Sequence, residues 1–162
     1  MQEILNTNTV NPSLLTALIL LPLIGFIINF FFGNKLPKSV IGILGSGIIL
    51  VNFIIVCSFF LGITNGSISE SSEINLSKWI NVPDASIPFN IPFGFLIDRL
   101  SIMMLLIITG IGFLIHVYSI GYMHDDKGYF RFFAYLNLFI FFMQLLVTGS
   151  NYLVLFIGWE GV

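Results

Sequence analysis

Four stretches of this chain run apolar for about twenty residues each: Leu14 to Phe32, Val40 to Ile63, Leu96 to Tyr118 and Phe132 to Thr148. The first, second and fourth contain no Asp, Glu, Lys or Arg. Few folds are open to such a chain. A helix rising about 1.5 Å per residue crosses a ~30 Å hydrocarbon core with roughly 20 residues, and it satisfies its own backbone groups where lipid cannot. Composition agrees, because 9% of the residues are charged against about 25% in a soluble domain. The expected fold is an all-α membrane protein with a single transmembrane domain over residues 1–162.

A fifth run, Tyr152 to Val162, is long enough for roughly 16 Å of helix, about half a bilayer. The expectation is four complete transmembrane helices plus the first half of a fifth. A half-crossed helix leaves polar end groups in hydrocarbon, which predicts that the natural chain continues past Val162. No basic residue precedes the first run and no small-residue cleavage site follows it, so it reads as a retained span. Lys35 and Lys38 lie between runs one and two, and Lys127 and Arg131 between runs three and four. Lys78 and Arg99 fall on the other side, with Glu70, Glu73, Asp84 and Asp98. Positive residues are retained in the cytoplasm, which puts the N-terminus outside. Residues 64–95 then form an extracytoplasmic connection. Pro83, Pro88 and Pro92 predict turns or short strands lying on the outer face, with Trp79 as an interfacial anchor.

Depth filters the candidates for chemistry. Of eight acidic residues, seven lie in loops or at helix ends and only Glu160 falls well inside a span, about 12 Å along its helix and near the midplane. A charge there costs at least ~2.5 kcal/mol, so a functional role is the default reading and a buried structural acid the alternative. Desolvation favours a neutral acid and a nearby cation favours the carboxylate; a group that answers to both can carry a proton. Residues seven apart lie only ~20° apart around a helix. Thr109 and His116 therefore share one face of span three, and Asn137 and Gln144 one face of span four. These faces suit either a hydrated proton path, with His116 a shuttle, or interhelical hydrogen bonding.

Blander roles suit the remaining polar positions. Asp98 caps the start of span three. Close helix packing explains Gly25, Asn29 and Gly33 in span one and Gly42, Gly45, Ser46 and Gly47 in span two. "HDDKGYFRFF", His124 to Phe133, has the mixed charge and aromatic collar of a membrane interface, and proton entry at His124 or Lys127 is the lesser reading. Cys57 is the lone cysteine, which leaves no disulfide or zinc site. Metal clusters, nucleotide-binding glycine loops and Ser-His-Asp or Cys-His pairs are all missing from the pattern. Redox or hydrolytic chemistry would have to belong to a partner.

Taken in order, "DRLSIMML" (Asp98 to Leu105), "HVYSIGYMHDD" (His116 to Asp126), "RFFAYLNLFIFFMQLLV" (Arg131 to Val147) and "NYLVLFIGWEGV" (Asn151 to Val162) resemble consecutive blocks of one family. It is the largest antiporter-like membrane subunit of respiratory complex I, called subunit L in bacteria and subunit 5 in mitochondria. The likeness is strong over residues 94–162 and looser in span one. It implies that Glu160 is the family's fifth-helix glutamate, which works with a mid-membrane lysine to gate proton movement, and that Trp159 and Gly161 are its neighbours. Asp98 and Ser101 match the opening of the family's third helix. His116, Tyr118, Ser119, Gly121, Tyr122 and Met123 match its cytoplasmic end. None of the five runs contains the partner lysine.

That resemblance implies a proton-translocating subunit of an NADH:quinone oxidoreductase. NADH, FMN, iron–sulfur clusters and quinone would reside in partner subunits, with no cofactor or metal in this chain. The partners implied are the other membrane and peripheral subunits of complex I, above all a neighbouring antiporter-like subunit, together with lipid and no nucleic acid. The absence of a cleavable or amphipathic, arginine-rich leader favours a bacterial inner membrane or an organelle-encoded product over an imported one, and the bacterial inner membrane is expected ahead of the mitochondrial one. Two alternatives are a subunit of a multi-subunit sodium/proton antiporter or membrane-bound hydrogenase, and a non-catalytic four-span scaffold.

Overall fold

The computed structural model describes residues 10–69, 71–82 and 89–162. Along the chain come helices α1 (Pro12–Phe32) and α2 (Lys38–Thr64), strands β1 (Ser71–Val82) and β2 (Phe89–Asp98), and helices α3 (Arg99–Tyr122), α4 (Tyr129–Thr148) and α5 (Tyr152–Gly161). The first four helices are each long and apolar enough to cross a membrane. The class is therefore a helical membrane protein, with one small sheet in the connection expected to hold turns or short strands. Glu70, Pro83, Asp84 and Pro88 lie outside the described residues.

Local sequence sets the helix starts. Asn11 caps α1 by accepting from the Ser13 N–H at 3.0 Å, with Pro12 in the first turn. Asn151 caps α5 by accepting from the N–H groups of Leu153 and Val154 at 3.1 Å each. Asp98 caps α3, and its carboxylate accepts from the backbone N–H and the hydroxyl of Ser101, both at 2.7 Å. The third helix accordingly begins at Arg99 and not at Leu96. Leu96, Ile97 and Asp98 end β2, opposite Glu73, Ser72 and Ser71. That pairing makes them strand, and Phe95 and Ile97 turn into the core at the two-residue period of a strand. Three helices also take in a cation at their first turn: Lys38 in α2, Arg99 in α3 and Arg131 in α4.

Strands β1 and β2 make one antiparallel pair of 12 and 10 residues, longer than the short strands expected. Its register slips between Lys78 and Ile80, where Pro92 stands on the partner strand and cannot donate to the ladder. Trp79 is exposed, with its ring edge-on to Phe93 at 5.8 Å. The hairpin docks on the corner between α4 and α5. The Ser150 N–H donates to the Gly94 carbonyl at 3.1 Å, and Asn151 Nδ2 to the Pro92 carbonyl at 2.8 Å.

Helix α1 packs on α2 and α4, α3 packs on the same two, and α5 lies on α4. Only about a third of each long helix is buried (33–39%), so apolar side chains cover most of the outside, as a lipid environment requires. Glycines let the helices close up. A Cβ on Gly45 would come within 3.0 Å of the Phe133 ring, and one on Gly158 within 2.9 Å of the Leu146 side chain and nearer still to its backbone. Gly47, expected in the same close-packed patch as Gly45, instead faces open space.

Candidate functional site

Two apolar clusters bracket the bundle. One lies toward the hairpin around Leu18, Val56, Phe95 and Leu105, and a smaller one of Ile41, Tyr129 and Phe133 lies at the lysine-rich end. Between them the interior turns polar. Asn29 of α1, Ser46 and Asn52 of α2, Thr109 and His116 of α3, and Asn137 and Gln144 of α4 are all buried. Thr109 with His116, and Asn137 with Gln144, thus occupy inward faces of neighbouring helices.

Three of these seven side chains bond back along their own helix. The Thr109 hydroxyl donates to Leu105 O at 2.7 Å, Asn137 Nδ2 to Phe133 O at 2.8 Å, and His116 Nδ1 lies 2.7 Å from Gly112 O. A carbonyl can only accept, so Nδ1 carries the proton in that contact and Nε2 keeps a lone pair in the neutral ring. Asn52 reaches across helices, from Nδ2 to Leu18 O at 3.0 Å. Left without a protein partner are both amide atoms of Asn29 and of Gln144, Ser46 Oγ, Asn52 Oδ1, Asn137 Oδ1 and His116 Nε2. Each such atom costs roughly 1–3 kcal/mol if it stays dry. That concentration of unmatched polar groups inside an apolar bundle marks the candidate site.

Ser46 and Asn29, expected to serve close packing, also carry unpartnered polar atoms into this interior, and Asn52 joins them. The signal for Asn52 was present in its spacing, seven residues past Gly45 and so on the same face of α2.

Glu160 stands apart. It lies on the exposed side of α5 beside Trp159 and Gly161 and makes no hydrogen bond or ion pair with the described residues. Gly161 abuts the Phe142 ring. Of the other motif positions, Asp98 and Ser101 form the cap of α3. Ser119 is buried and donates to Ile115 O at 2.7 Å, and the Met123 N–H closes the end of α3 on Ser119 O at 3.0 Å. Tyr118 and Tyr122 stack at 5.6 Å on the outside, and Gly121 faces open space. At the lysine-rich end, Lys38 Nζ donates to the His124 carbonyl and lies 5.8 Å from the Tyr129 ring centre. His124 and Asp125 pair at 3.2 Å, well exposed. Among the described residues no group of His, Cys, Asp or Glu could hold a metal ion.

Fold and site together define a polytopic helical membrane protein with a polar, uncharged interior and a carboxylate on its last helix. Residues 79–133 match the family described as NADH-ubiquinone oxidoreductase (complex I), chain 5 N-terminus. The NADH-ubiquinone oxidoreductase chain 5 of Hypocrea jecorina is 45% identical over 148 residues, 90% of this chain and 20% of that protein. The NADH-quinone oxidoreductase subunit L of Escherichia coli K12 is 42% identical over 154 residues, 93% of this chain and 24% of its own length. Subunit L of Neisseria meningitidis serogroup A is 38% identical over 147 residues, 88% of this chain and 21% of that protein. Over about nine-tenths of its length the chain is thus similar to chain 5 or subunit L of respiratory complex I. It spans a fifth to a quarter of the length of these relatives.

Proposed function

We propose that this chain is part of a proton-translocating membrane subunit of an NADH:quinone oxidoreductase, and that Glu160 is its proton-carrying group. The likeness over nine-tenths of the chain to proteins named for that oxidoreductase carries the proposal. Glu160 adds to it as the one acidic residue within the five helices. Electrons travel in partner subunits, which hold NADH, FMN, iron–sulfur clusters and quinone. This chain contributes proton movement, coupled to them through neighbouring membrane subunits, in particular a second antiporter-like one. His116, Thr109, Asn137 and Gln144 supply polar positions for a path through the bundle.

The excess of lysine and arginine at one end of the bundle supports an N-terminus outside. The bacterial inner membrane is the setting in this reading, supported by the relatives from Escherichia coli and Neisseria meningitidis; the fungal relatives fit the mitochondrial alternative.

Substituting Glu160→Gln in the complete protein tests the proposal. In proteoliposomes the variant complex should still oxidise NADH and assemble, while the number of protons moved per electron falls. An unchanged proton-to-electron ratio would overturn the role given to Glu160.

A further inference from the structure

We propose that the lysine-rich half of the bundle encloses a water-binding compartment, walled by Asn29, Ser46, His116 and Asn137 and closed toward the hairpin by Ile49 and Ile140. This goes beyond the role of Glu160 and does not depend on it. The four walls come from four helices, α1 to α4, and each side chain is 5% exposed or less. Asn29 Nδ2 and Oδ1, Ser46 Oγ, Asn137 Oδ1 and His116 Nε2 have no protein partner.

Two glycines let these groups draw close to one another. The Cβ position of Gly45 lies 3.1 Å from Asn137 Nδ2 and 3.4 Å from Asn29 Nδ2, so the two amides stand close to each other. The Cβ position of Gly25, on the opposite helix, lies 2.9 Å from Asn137 Oδ1. Donors and acceptors stand side by side here, and a buried water makes about three hydrogen bonds to otherwise unmatched groups. Water is therefore the ligand the geometry fits. A formal charge is not, because α1, α2 and α4 bring no Asp, Glu, Lys or Arg to these walls, and His116 is the one titratable group among the buried polar residues.

Both ends of the compartment are apolar. At the lysine-rich end the Phe133 ring lies 6.0 Å from His116 and 4.9 Å from Tyr129. Toward the hairpin, Ile140 Cδ1 lies 2.8 Å and Ile49 Cγ2 3.8 Å from the Cβ position of Gly112. Because Gly112 has no side chain, the two isoleucines close over it. Beyond them the polar groups resume with Asn52, Gln144 and Thr109, each seven residues along its helix from Gly45, Asn137 and His116, or about 10 Å. The isoleucine layer is thus a dry break between two polar stretches. Such a constriction blocks conduction by excluding water.

The test uses the complete complex in proteoliposomes without NADH, under a potassium diffusion potential, with a pH dye inside. Ile140→Ala should raise the passive proton leak about tenfold, the factor of a ~1.4 kcal/mol lower barrier. Adding Asn137→Leu should reverse the rise. An assembled Ile140→Ala complex with wild-type leak would overturn the barrier.

Should Ile140→Ala not assemble, a water-resolving structure of the wild-type complex decides the matter. Density within hydrogen-bonding distance of Asn137 Oδ1 and His116 Nε2 is expected, whereas direct Asn29–Asn137 contact with nothing between would overturn the compartment. Either failure leaves the Glu160 proposal standing, because that proposal is read from protons pumped per electron.

Discussion

The start of α3 and the end of α5 each carry a carboxylate, and the fold uses them in opposite ways. Asp98 is half-buried, and its carboxylate is taken up by the Ser101 N–H and hydroxyl. Those bonds hold it below the ordinary aspartate value of 3.8, the backbone bond contributing most. Glu160 sits in a helix of matching apolarity, on an exposed face, with no such bonds to the described residues. A carboxylate engaged by a cap stabilises a helix end and stays ionised. One without such bonds is not committed to a helix cap, which is why the proton-carrying role is proposed for Glu160 and not for Asp98.

Helix α5 is where this contrast breaks most easily. It meets α4 through Gly158, whose Cβ position falls against the Leu146 backbone and side chain. Gly158→Val forces that contact apart at a cost of about 1–3 kcal/mol. The expected result is loss of pumping with the Glu160 carboxylate chemically intact, measured as protons per electron in the assembled complex. Full pumping would mean that Glu160 does not need its place beside α4. By comparison, Glu160→Gln should leave thermal stability within about 0.5 kcal/mol of wild type.

An intermediate effect belongs to Asn52, whose amide joins α2 to the Leu18 carbonyl of α1. Replacing it with Leu removes an interhelical bond of about 1 kcal/mol, the middle of the range for such bonds in membranes. A lower melting temperature of the detergent-solubilised protein, with pumping retained, would class Asn52 with Asp98 as a residue used for structure. Lost pumping at unchanged stability would class it with Glu160.

Much of this was legible in the residues themselves. Charge-free runs of about twenty residues are incompatible with most alternatives to a spanning helix, and the capping groups Asn11, Asp98 and Asn151 act on neighbours two or three positions away, so they can be read without knowing the fold. The hairpin was less legible because β2 runs straight into α3. Phe95, Leu96 and Ile97 are apolar enough to extend the helix, and only their pairing with Ser72, Glu73 and Ile74 makes them strand. The interior was legible in part. Seven-residue spacing finds a shared face, but whether that face meets lipid or another helix depends on the glycines of the neighbouring helix, as Gly25 and Gly45 do for Asn137. The exposure of Glu160 depends on packing around α5, which spacing along α5 cannot reveal.

Asp98 gives the smallest effect and the sharpest one. Because its folded-state pKa is depressed, the stability it contributes is present above the unfolded value of 3.8 and is lost as pH falls through the lower folded value. Asn caps a helix about as well as Asp, so Asp98→Asn should cost no more than a few tenths of a kcal/mol at neutral pH. Its mark is instead the missing pH dependence. The Ser101 amide, which donates to this carboxylate, reports it directly through hydrogen exchange, with the ratio of wild-type to variant rates cancelling the intrinsic pH effect. That ratio should hold steady from pH 7 to about pH 4 and then converge toward one as the wild-type carboxylate protonates. A ratio flat to the lowest pH would mean that the cap is not what sets the charge of Asp98, and the contrast with Glu160 would lose its local explanation.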